Sequence, residues 1–97
     1  MNKILITDDI LLKNGFERSD KDEYKKVWGD YKSYELWTED KDPIKIDMSY
    51  KATNNNTDWN MHLDNERCET IGSADINYIE QFNLMMKIFE SNYELKP

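Results

Sequence analysis

The 97-residue chain reads as an α+β domain on three observations. A short helix with signals at both ends opens it at 6–17. Apolar and polar residues alternate through 43–51 and 59–64. A broad apolar stripe at helical spacing then runs over 78–93. The expected architecture is a short N-terminal helix, an antiparallel sheet of about five strands in a meander, and a longer C-terminal helix packed on one sheet face. Such a length supports one domain over 1–97, with a single core and little left for a deep enclosed pocket.

Each element has a local cause. In "ITDDILLKNGF", Thr7 can cap the helix with its hydroxyl, and Asp8 and Asp9 suit the positive end of the helix dipole. Ile6 and Leu11 have the spacing of a hydrophobic staple. Gly15 can take the left-handed conformation that ends the helix, with Phe16 folding back on Leu11. Next, Gly29-Asp30 suits a two-residue turn, which would pair Trp28 with Tyr31, Lys26 with Ser33 and Tyr24 with Glu35. One face of that hairpin carries Tyr24, Trp28, Tyr31 and Trp37, the other Val27, Tyr34 and Leu36. Both are apolar enough to face the core, so the pattern leaves the choice open.

In "PIKIDMSYK", Ile44, Ile46, Met48 and Tyr50 point one way and Lys45, Asp47, Ser49 and Lys51 the other, as in a half-buried strand. "ATNNNTD" is a polar loop. Trp59, Met61 and Leu63 then alternate with Asn60, His62 and Asp64. A turn at Asn65-Glu66 would set Leu63 opposite Cys68, Met61 opposite Thr70, Asp64 opposite Arg67 and His62 opposite Glu69. A long helix is expected over 73–95, capped by Ser73 or Asp75, with Tyr78, Ile79, Phe82, Met85, Met86, Phe89 and Tyr93 on one broad stripe. Leu84 and Ile88 fall outside that stripe, one turn apart.

Composition narrows the function. A net charge of −7 repels phosphate backbones, so direct nucleic-acid binding is not expected. The apolar run in "MNKILITDDI" is too short for a signal-peptide core or a membrane span, which points to the cytoplasm and away from a membrane partner. The single cysteine, Cys68, has no partner for an internal disulfide.

The stretch "TDWNMHLDNERCETIG" looks most like chemistry, because it holds the only histidine, the only cysteine and four acidic residues. His62 and Asp64 share a strand face, but zinc wants further nitrogen or sulfur ligands that the chain cannot supply. Cys68 is expected on the opposite face, where it would behave as a small buried hydrophobe. Neither "DKD" at 20–22 nor "EDKDP" at 39–43 has the glycine and acid spacing of a calcium loop. No catalytic residue, cofactor or metal is therefore assigned. The features suited to contact with a protein partner or a second copy of the chain are Trp28, Tyr31 and Trp37 on the hairpin, and Leu84 with Ile88 on the long helix.

"ITDDILLKNGFE" (6–17), "WNMHLDN" (59–65) and "NYIEQFNLMMKIF" (77–89) together resemble a group of small uncharacterised proteins encoded by gut Bacteroides-type bacteria and their phages or mobile elements. Members show a leading LT-E-LL-K-GFE, matched here by Thr7, Leu11, Leu12, Gly15, Phe16 and Glu17. They also show a late YVHELQNL-like helix, matched by Tyr78 and Ile79, with Glu80 where the group often has histidine. The resemblance covers most of the chain and transfers no functional residue. It implies a small domain with a phage or mobile-element accessory role.

Three readings follow. The leading one is a non-enzymatic interaction module. The alternatives are a small enzyme or metal-binding protein using the His62/Asp64 face, and an acidic mimic of nucleic acid.

Overall fold

The computed structural model describes residues 3–20, 31–51 and 58–97. In chain order these form α1 (Asp8–Lys13), β1 (Glu17–Arg18), β2 (Tyr31–Trp37), β3 (Lys45–Lys51), β4 (Trp59–Asp64), β5 (Thr70–Ile76) and α2 (Ile79–Ile88). The strands make one antiparallel sheet in the order β1-β2-β3-β4-β5, the expected meander. The fold is α+β, and among the described residues no helix is long and apolar enough to cross a membrane.

Helix α1 is built as its sequence signals. Ile10 N–H donates to Thr7 Oγ1 at 3.3 Å. At the other end Gly15 has φ +94°, its N–H reaches Leu12 O at 3.2 Å, and Phe16 N–H reaches Leu11 O at 3.0 Å. These two bonds satisfy carbonyls that a helix end otherwise leaves open. They also turn Phe16 into the core beside Leu11, both fully covered.

Strand alternation sends Tyr34, Ile46, Met48, Trp59, Met61, Leu63 and Ile76 into one core with Leu11, Phe16, Ile79, Phe82 and Met86. The helices therefore cover one sheet face. This settles the two-faced β2: Tyr34 is buried, while Trp37 points away from the core and is 47% exposed. Phe16, Phe82 and Tyr93 form a triangle of edge-on rings with centroids 6.0–6.2 Å apart, joining the end of α1, α2 and the C-terminal segment. At the far side of the sheet, Trp59 Nε1–H donates to Ile6 O at 3.1 Å, so this buried indole keeps its polar atom paired.

Two asparagine side chains hold the segment after α2. Asn83 accepts from Leu95 N–H at 2.8 Å and donates to Leu95 O at 3.1 Å. Asn14 does the same for Lys96, at 2.9 and 2.7 Å. Each amide thus pairs with a peptide group as a neighbouring strand would, and Leu95 is pressed into the core between them.

Three expectations are corrected. First, the place opposite Glu35 is taken by Glu17, and Ser33 O accepts from Ser19 N–H at 2.8 Å. The reversal at Gly15 and Phe16 delivers the next residues straight onto the edge of β2. The expected Gly29-Asp30 turn, with Tyr24, Lys26, Val27 and Trp28, lies outside the described residues.

Second, the long helix starts at Ile79, not near Ser73, because 70–76 is a strand. Strand β4 needs a ladder partner and Ile76 is buried opposite Trp59, which together outweigh the cap-like Ser73 and Asp75. The helix is opened instead by Gln81, whose Oε1 accepts from Asn77 N–H at 2.8 Å and Tyr78 N–H at 3.0 Å.

Third, the β4–β5 register differs. Asp64 faces Thr70, Leu63 faces Gly72, Met61 faces Ala74 and His62 faces Ser73, with an irregularity between Leu63 and Asp64. The side chain of Asn65 sets this longer loop by accepting from Arg67 N–H at 2.9 Å and Glu69 N–H at 3.0 Å. Cys68 consequently lies exposed in the loop at φ +62°, not on the inner face.

Candidate functional site

The only histidine lies on the outer sheet face, as its alternation with Met61 and Leu63 requires. Its Nε2 is 3.0 Å from Asp64 Oδ1 and 3.2 Å from Thr70 Oγ1. The contact with Asp64 is close but not aligned as a hydrogen bond, which leaves Asp64 Oδ1 buried without one. Both neighbours share one ring nitrogen. A hydroxyl–histidine–carboxylate relay needs them on opposite nitrogens, so that the carboxylate orients the ring while the other nitrogen takes the hydroxyl proton. This arrangement cannot run that relay.

Around His62, the outer face is a mixed-charge plane. Lys45 Nζ lies 3.4 Å from Glu35 Oε2 and 3.9 Å from Asp47 Oδ1. Burial pushes the Asp47 carboxyl up; the Lys45 charge opposes this, while Glu35 and Asp64 reinforce it, and the net result is a raised pKa. Glu35 and Asp47 thus gather on a lysine. Among the described residues, no group of three His, Cys, Asp or Glu side chains is placed to hold a metal ion.

The residues expected to make contacts fall in two places. Trp37 ends β2 with its ring in solvent, and Tyr31 is half-buried at the strand's start. Trp28 lies outside the described residues. Leu84 and Ile88 project from α2, 60% and 62% exposed. They are on the helix face turned away from Phe82 and Met86, so the helix and hairpin candidates do not form one patch.

Trp37 borders a groove of about 690 Å³ that the sequence did not announce. The loop after α1 (Asn14 and Gly15), the end of β2 (Glu35 to Thr38) and the C-terminal segment (Asn92 and Tyr93) surround it. Glu17, Glu35, Glu39 and Asp40 supply four carboxylates to its lining, and among the described residues no lysine or arginine joins them. Glu17 and Glu35 are direct cross-strand partners, an arrangement in which like charges repel. Lys45 offsets Glu35 from the other side.

Asp40 has a structural task in the groove wall. Its carboxylate accepts from Ser91 Oγ at 2.5 Å and Asn92 N–H at 2.8 Å, and these bonds hold its pKa below the usual range. Opposite it, the Tyr93 hydroxyl donates to Asn14 O at 2.9 Å, and burial pushes its pKa up to about 12. The wall is therefore braced from two sides. Glu17, Glu39, Asp40 and Tyr93 were missed as site residues because they come from three separate segments, and only Trp37 carried a local signal. Comparison with known proteins gives no match to a family model, to a curated protein or to a solved structure.

Proposed function

We propose that this chain is a non-enzymatic interaction module that meets a protein partner at the Trp37 end of its sheet. The solvent-facing indole of Trp37 on the rim of a braced groove carries the proposal. Tryptophan offers large contact area at low entropic cost and is enriched among residues that dominate binding energy. An accessory role in a phage or mobile element belongs to the same proposal and rests on the resemblance of the three quoted segments. A cytoplasmic setting is likewise part of it, on the grounds of the short N-terminal apolar run.

Affinity capture from the native host tests this reading when wild type is compared with two variants, Trp37→Ala and Leu84→Lys. The expected result is a specific partner retained by wild type and Leu84→Lys and lost by Trp37→Ala. Retention by Trp37→Ala would move the contact elsewhere. Loss through Leu84→Lys alone would place it on α2, and light scattering would then show whether the partner is a second copy of the chain.

A further inference from the structure

We propose that the groove beside Trp37 receives an arginine-bearing segment of the partner protein, with the guanidinium lying against the indole. This deepens the interaction reading and rests on it. Trp37 is the starting point, because an indole face attracts a cation through its ring quadrupole. Lysine and arginine already cover other aromatic rings here: Lys3 lies over Tyr78, Arg18 over Tyr34 and Lys32 over Tyr50. The cross-strand partner of Trp37 is Lys45, and that ammonium reaches to Glu35 and Asp47. Among the described residues, no cation lies over the Trp37 ring.

Charge and space complete the case. Glu17 and Glu35 project from the same sheet face as Trp37, two residues along the ladder, and among the described residues only Glu35 has a lysine beside it. A guanidinium against the indole would meet Glu17 and relieve its repulsion with Glu35. Gly15, which also lines the groove, contributes no side chain to obstruct the approach. Arginine suits the site better than lysine, because its planar group stacks on an aromatic face while its N–H fork meets a carboxylate. Phosphate-bearing ligands are repelled by the same carboxylates.

The test is a two-dimensional NMR titration of the full chain with a glycine–serine peptide carrying two arginines, beside the same peptide with citrulline in their place. The Trp37 indole N–H resonance should move saturably with the arginine peptide. Binding should weaken about tenfold with citrulline, with Trp37→Ala or with Glu17→Gln, as expected for loss of a cation–aromatic or charge-assisted contact. Absence of a saturable shift at Trp37, or equal affinity for the citrulline peptide, would overturn the proposal. Unchanged affinity in both variants would do the same. The citrulline arm needs no variant to fold. If Trp37→Ala loses the captured partner while the arginine peptide fails to bind, the interaction module stands and the guanidinium is removed from it.

Discussion

The hydroxyl of Tyr34, in the middle of β2, donates to Asp8 Oδ2 at 3.1 Å, and Lys32 Nζ reaches the same oxygen at 3.0 Å. One carboxylate at the start of α1 thus ties the helix to two inward-facing residues of the sheet. Burial raises the Asp8 pKa, but the hydrogen bonds from Lys32 and Tyr34 and the lysine charge outweigh it, so the net shift is downward.

A lowered carboxyl pKa in the fold means the unfolded chain binds the proton more readily. The stabilisation is therefore present above the unfolded value, about 4, and is lost as pH falls through the lower folded value. Asp8→Asn should melt below wild type at pH 7, and the gap should close in acid. Tyr34→Phe should cost about 1 kcal/mol at neutral pH, the worth of one hydrogen bond. Thermal melts across pH 2 to about 7 check both. A gap unchanged in acid would show that the ionised carboxylate is not what holds α1 to β2.

Asp47 has the opposite sign. Burial among Glu35 and Asp64 raises its pKa despite Lys45, with His62 across the ladder favouring the ionised form only weakly. The folded state here binds the proton more tightly, so its contribution is most favourable below about pH 4 and is lost as pH rises. Asp47→Asn should therefore raise the melting temperature at pH 7 and make no difference at pH 3. A lower melting temperature at pH 7 would show that the Lys45 ion pair outweighs desolvation.

Gly72 lies where α2 ends against the sheet. A Cβ there would stand 2.6 Å from Phe89 Cζ, inside contact distance. Gly72→Ala should destabilise by about 1–2 kcal/mol, as over-packing does. The same change in a Phe89→Leu background should cost less, because the obstructing ring is gone. Equal costs in the two backgrounds, read by urea unfolding, would show that Phe89 does not press on β5.

How much of this could be read beforehand depends on where each cause lies along the chain. Helix α1 was legible to the residue because its cap, its left-handed Gly15 and its partners all lie within ten positions. Strands β3 and β4, and the Ile79–Phe89 stripe, followed from period alone, since burial of one face repeats at fixed spacing. Residues 73–76 were misread as the start of the helix because "SADI" has weak strand character and two helix-cap residues. The ladder that neighbouring β4 needs, together with the burial of Ile76 opposite Trp59, makes it a strand.

The sequence by itself determined the class of the fold, the inward set of Trp59, Met61 and Leu63, and the outward place of His62. Tertiary structure alone decided that Tyr34 rather than Trp37 would be buried, since both faces of β2 could have filled a core. It also placed Cys68 in solvent, through a loop held by the side chain of Asn65, and assembled a groove from residues as distant as Asn14 and Tyr93. The physical reason is that periodicity encodes which side of an element is apolar, whereas the choice between two adequate sides depends on the whole set of neighbours.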